Sequence, residues 1–159
     1  MAYGEPLKQK SQLEDCSSID LLARIIYAEA EAESEKGKRG VAFVIKNRKD
    51  RDSREFGGNT YKGVILKKNQ FDGVNRSAML KPDTSSRSWK DSLDIAKNMS
   101  DKDNPIGDCL WFNADWLWEK QSFDDGREVT YNFPKESKVH RVVEMREIGK
   151  HVFFRVEGY

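Results

Sequence analysis

Across 159 residues the chain carries 28 basic and 27 acidic side chains, a formal net charge of +1 and a mean hydropathy of −0.81. This length suits one domain with a sizeable core, and the even charge balance supplies no general attraction for nucleic acid, membrane surfaces or polyanions. No stretch is long and apolar enough to span a bilayer, and Met1 to Asp15 lacks the apolar centre of a secretory signal.

Residues 1–16 read as a polar, flexible segment and 17–159 as the folded domain. Cys16 and Cys109 either pair or stay free, and two cysteines do not make a disulfide framework. Ser17-Ser18-Ile19-Asp20 offers N-caps for the apolar run Leu21 to Ala30, which predicts a first helix ending near Glu33. At roughly 100° per residue, Leu22, Ile26, Glu29 and Glu33 project within about 60° of one another, with Arg24, Glu31 and Glu35 on the opposite side. Two carboxylates therefore continue the buried stripe. Burying a carboxylate disfavours its charged form and raises its pKa, as a general acid near neutral pH requires. The plainer reading is a helix end emerging into water. Glu33 could instead pair with Arg48 or Lys38 and orient its neighbour.

Val41, Val44, Ile45 and Arg48 have helical spacing, so a second helix is expected to pack on the first despite its β-branched content. Lys49 to Asn59 is a charged surface loop, and Gly63 to Leu66 makes one helical turn. Asn69-Gln70-Phe71-Asp72-Gly73 reads as a tight turn that either lines a cleft or anchors itself through Phe71. Lys81-Pro82-Asp83-Thr84 opens a third long helix through Trp89, Leu93 and Ala96, stopped by Pro105 at the latest. Cys109 to Phe112 suggests a short strand, and Trp111, Trp116 and Trp118 fall within eight residues. Such a cluster is either an aromatic core or a platform for sugar rings or bases. Residues 129–133, 139–145 and 151–156 alternate as strands. Helices first and a small antiparallel sheet second make an α+β fold.

Phosphate loops, GxSxG elbows and HExxH pairs are absent, and the two His and two Cys are too scattered for a zinc site, so neither cofactor nor metal is expected. His151 on a strand reads as a packed histidine. A carboxyl on a helix beside an aromatic, strand-borne surface suits cleavage of a polysaccharide, where the leaving oxygen must be protonated.

The run Leu22 to Glu33, with Gly37 and Val41 to Arg48, resembles the opening signature of the SleB/CwlJ cell-wall hydrolases, the cortex-lytic enzymes of spore germination and their bacterial and phage relatives. The likeness continues in order through Gly63-Val64-Ile65, Gln70-Phe71, the Trp89 helix, Leu110-Trp111-Phe112-Asn113 and Ile148 to Phe153. It implies a lysozyme-like single domain acting on peptidoglycan glycan strands, usually as a lytic transglycosylase with one essential glutamate. Carried onto this sequence that glutamate is Glu29, with Glu33 in support and Gln70, Phe71, Trp111 and Asn113 as groove-lining candidates. Ala28 stands where the family usually has Gly, Glu31-Ala32 where it often has Arg-Gly, and the stretch from Trp116 to Glu147 is longer than usual. Action at the wall or cortex would need a route such as spore packaging, a phage-type release or a targeting partner. The rival readings are a hydrolase in which Glu33 or Asp72 activates water, and a non-catalytic glycan-binding module. Nucleic-acid binding through Arg48, Lys49, Arg51, Arg54, Lys67 and Lys68 is disfavoured, because Asp50, Asp52 and Glu55 interrupt the basic run.

Overall fold

A computed structural model describes residues 2–159. Helix α1 (Ser18–Ala30) is its axis: Ser17 caps it by accepting the Asp20 N–H, and Leu21, Leu22, Ile25, Ile26 and Tyr27 are all buried. Helices α2 (Glu35–Arg51), α3 (Tyr61–Leu66), α4 (Ser77–Leu80) and α5 (Arg87–Lys97) pack around it.

Helix α1 ends three residues earlier than its periodicity suggests. Ser34 caps α2 by accepting the Gly37 N–H, so residues 31–34 must turn rather than continue the helix. The buried Lys38 closes this turn, its Nζ donating to the carbonyls of Glu31 (3.2 Å) and Glu33 (2.6 Å). Glu33 therefore sits in the turn and not on the Glu29 stripe. Arg24, projected toward the polar side, is instead fully buried. It pairs with Asp20 at 3.0 Å and donates to the carbonyls of Glu5, Met79 and Leu80, because the N-terminal segment and α4 cover that face. Residues 2–16, read above as flexible, lie along the domain with Leu7 and Leu13 buried and the Gly4 N–H on Asp20.

The β-branched run of α2 is helical, as its spacing predicts, and buries Val41, Val44, Ile45 and Arg48. A Cβ at Gly40 would lie 2.5 Å from the Phe153 ring, so glycine there lets α2 approach the sheet. Helix α5 starts at Arg87 rather than near Lys81, since Ser86 accepts the Trp89 N–H while Asp83 turns back on Ser85.

The sheet is antiparallel throughout, ordered β1 (Trp111–Ala114), β5 (His151–Val156), β4 (Val139–Ile148), β3 (Val129–Asn132), β2 (Ser122–Asp124). The helix α6 (Asp115–Gln121) and strand β2 are additions to the sequence reading. Trp118, Tyr131, Val152, Phe154 and Val156 form a second, smaller core beneath this part of the sheet. The α+β arrangement is the expected one. Cys16 and Cys109 are free and buried. Among the described residues no helix is long and apolar enough to cross a membrane, and no three His, Cys, Asp or Glu side chains are grouped to hold a metal ion.

Candidate active site

Glu29 stands on the last turn of α1, half-buried at one end of an open groove. Its Oε1 accepts the Gly73 N–H at 3.0 Å from the turn that follows Phe71. Burial raises its pKa above the ordinary carboxylate value; the Gly73 hydrogen bond and the Arg76 charge oppose this, and Asp72 adds to it. Arg76 is fixed on the same helix end by its hydrogen bond to the Ala28 carbonyl at 2.8 Å. A carboxyl whose protonated form is favoured by burial and which faces an open cleft can donate a proton to a bound oxygen.

Arg48 crosses beneath the groove with 4 % of its surface exposed. Its Nε donates to the Leu110 carbonyl at 2.7 Å and its Nη1 to Gln70 Oε1 at 3.1 Å. The guanidinium lies 4.8 Å from the Phe71 ring centre and 5.1 Å from that of Phe56. Burial pulls its pKa down to about 10, which leaves it charged at neutral pH. Phe71 is therefore mostly core, stacked on Phe112 and supporting Arg48, while Gln70 is held in place by Arg48. Asn113, half-buried on β1, donates to the Tyr131 hydroxyl at 2.6 Å.

Glu29, Gln70, Phe71 and Asn113 thus line one stretch of cleft of about 380 Å³. Arg48, Gln70, Phe112 and Asn113 are shared with an adjoining stretch of about 530 Å³, which contains Trp111. Glu33 is not brought to either stretch. Its carboxylate accepts the Lys150 N–H at 3.0 Å in the β4–β5 turn, so it braces that turn rather than Glu29, and Lys38 meets only its main-chain oxygen. Gly149 has φ of 58°, and a Cβ there would sit 2.4 Å from Glu33 Oε1.

The three tryptophans separate. Trp118 is core, Trp111 is half-buried in the groove wall, and Trp116 is 66 % exposed at the Glu29 end. Trp116, Arg76 and His151 join the site without having been singled out as groove residues. His151 pairs with Ala114 across β1 and β5, and its Nδ1 is buried without a hydrogen-bond partner. Burial depresses its pKa, against the pull of Glu33 and Asp115, and keeps the ring neutral at pH 7. Its inclusion in the resembling segment Ile148 to Phe153 is the signal that could have found it.

The family model of the cell wall hydrolases matches residues 32–154, a span that begins three residues after Glu29. The fold is similar to the catalytic domain of the germination-specific lytic transglycosylase SleB from Bacillus anthracis, with 23% identity, a TM-score of 0.53, and coverage of 95% of this chain and 98% of that one. It is also similar to the catalytic domain of the Bacillus cereus SleB protein, with 23% identity, a TM-score of 0.51, and coverage of 97% and 98%. No curated protein sequence matches.

Proposed function

The chain belongs to the cell wall hydrolase family, and from that premise we propose that it cleaves peptidoglycan glycan strands as a lytic transglycosylase with Glu29 as its acid and base. The carrying observation is the Glu29 carboxyl itself: half-buried, raised in pKa, fixed by the Gly73 N–H and open to the groove. Protonated Glu29 gives its proton to the oxygen that links N-acetylmuramic acid to N-acetylglucosamine, and the bond to the muramyl C1 breaks. The resulting carboxylate takes the proton of the muramyl C6 hydroxyl, whose oxygen closes on C1 to give the 1,6-anhydro sugar. Glu29 ends protonated and no water is consumed. The intramolecular hydroxyl replaces both the water and the second carboxylate of ordinary glycosidases.

Asp72 supports a second reading, hydrolysis, because it is an exposed carboxylate in the same cleft as Glu29. Glu33 is a poor candidate to activate water, being bound to Lys150 outside the cleft. Digestion of purified peptidoglycan, with and without muramic lactam, by wild type and Glu29→Gln separates the readings. Anhydro-muropeptides, one water lighter than hydrolytic products and lost in the variant, are expected. Reducing-end products would move the enzyme to the hydrolases, and no cleavage of any wall would overturn the reading. Its place of action is then the wall or spore cortex, reached by packaging, release or a targeting partner.

A further inference from the structure

Two arginines line the stretch of cleft that holds Glu29, and the protein engages them differently. Arg48 is buried, with Nε on the Leu110 carbonyl and Nη1 on Gln70. Arg76 is exposed, and its Nη1 donates to the Ala28 carbonyl at 2.8 Å, in the last turn of α1 where carbonyls lack a helical partner. That one bond accounts for a helix cap and leaves the rest of the guanidinium fork. Among the described residues no Asp or Glu forms an ion pair with it, although Asp72 lines the same stretch.

A planar guanidinium with free donors takes a carboxylate in two parallel charge-assisted hydrogen bonds. The surrounding charges favour such a guest. Burial disfavours the Glu29 carboxylate, so Asp72 faces two arginines and the stretch has a positive excess. His151 in the same stretch is neutral at pH 7 and adds nothing to it.

We propose that Arg76 is a specificity-determining residue that binds a carboxylate on the 3-O substituent of the muramyl sugar being cleaved. The inference rests on the glycan-cleaving reading above and adds to it which muramyl residues are accepted. Glu29 serves the bond at C1 of that sugar, and the 3-O substituent leaves the same ring two carbons away. Ala28, which anchors Arg76, is the chain neighbour of Glu29, so acid and guanidinium are set beside one sugar. The carboxylate is that of a lactyl group without a stem, or one carried by the peptide stem. In muramic lactam the lactyl carboxyl is consumed in a ring amide, and Arg76 has no anion to meet. Strands of ordinary muramic acid are therefore the better ligand and lactam-rich strands the poorer.

The test uses the full chain as Glu29→Gln, so that strands persist, and titration calorimetry with three glycan probes of equal length. One is stem-free with free lactyl carboxylates, one is stem-free with those carboxylates capped as methylamides, and one bears stems. A carboxylate-bearing probe is expected to bind about tenfold more tightly than the capped one. Adding Arg76→Gln should bring that ratio to about one. Arg76→Lys, which keeps the charge and can still reach Ala28, should keep part of it. A preference for the free-lactyl probe assigns the lactyl carboxylate; a preference for the stem-bearing probe alone assigns the stem. Equal affinity of the Arg76-bearing protein for all three probes overturns the proposal and leaves the glycan reading standing. A preference that survives Arg76→Gln overturns it as well, as does a loss of affinity equal on all three probes, which would reduce Arg76 to a cap of α1. Binding of no probe overturns it together with the glycan reading.

Discussion

The Glu29 carboxylate and Gly73 are joined twice: the Gly73 N–H donates to Oε1 at 3.0 Å, and a Cβ on Gly73 would lie 3.1 Å from both Glu29 Cγ and Cδ. Gly73 has no left-handed backbone, so alanine is permitted there by φ and opposed by this contact and by Ile25 Cδ1 at 3.0 Å. Gly73→Ala should displace the carboxyl by a few tenths of an ångström and lower turnover of peptidoglycan about tenfold. Its urea midpoint should move little. A variant with wild-type turnover would mean that the Glu29 position is not held from this side.

Glu29→Gln should lower activity by about 10²–10⁴ if the carboxyl is the proton donor. Stability should move the other way. The folded-state pKa of Glu29 lies above the ordinary 4.5, so its stabilising contribution is complete below 4.5 and is lost as pH rises through the folded value. The melting temperature of Glu29→Gln should therefore gain on that of wild type as pH increases from 4 to 8. A constant difference over that range would contradict the raised pKa.

Arg24 holds Glu5, Met79 and Leu80 through their carbonyls while paired with buried Asp20. Arg24→Met leaves the Asp20 charge buried with the Gly4 N–H and the Ser17-capped backbone for company. A loss of about 3–5 kcal/mol in chemical denaturation is expected. The double variant with Asp20→Asn should recover part of it. No recovery would place the cost in the three carbonyls instead.

These contacts show where local reading reaches its end. Glu29 was legible because its apolar neighbours repeat with helical period on its own helix. The burial of Arg24 was not, because its cover comes from residues 2–16 and from α4, more than fifty positions away. The helical period carries Glu33 onto the Glu29 stripe only if it is extended past Ala30, where α1 ends and the chain turns toward the Ser34 cap of α2. The cap residue was present in the sequence, but an acid-rich run gave no reason to choose capping over continuation. The tryptophans had the same limitation: density marked the region, whereas strand pairing and the short helix α6 decided that Trp118 goes inward and Trp116 outward.

His151 predicts an acid limb of its own. Its folded-state pKa lies below the ordinary 6.5, so the contribution is present above 6.5 and is lost as pH falls through the folded value. His151→Phe, placed among Phe112 and Phe153, should flatten the fall in melting temperature between pH 6.5 and 4.5. An unchanged slope would assign that limb to other groups.

The thiols should be silent in the folded protein. Burial pushes Cys16 up to about 11 and Cys109 up to about 12, and neither is exposed. Labelling by a thiol reagent at pH 8 should follow the rate of opening of the chain, accelerating with urea. Rapid stoichiometric labelling without denaturant would show that the fold opens locally at one of them.

Strand β4 is shared between two halves of the sheet: Val139 to Arg141 pair with β3, and Val142 to Ile148 pair with β5, with a register shift between Val142 and Glu144. The acid is held by α1 and the Gly73 turn, whereas Phe133 hangs from the outer half. The two parts meet along one strand. Insertions or deletions between α6 and β4 can therefore reshape the far end of the groove while Glu29 stays where it is. The two ends of the groove are open to change as separate traits.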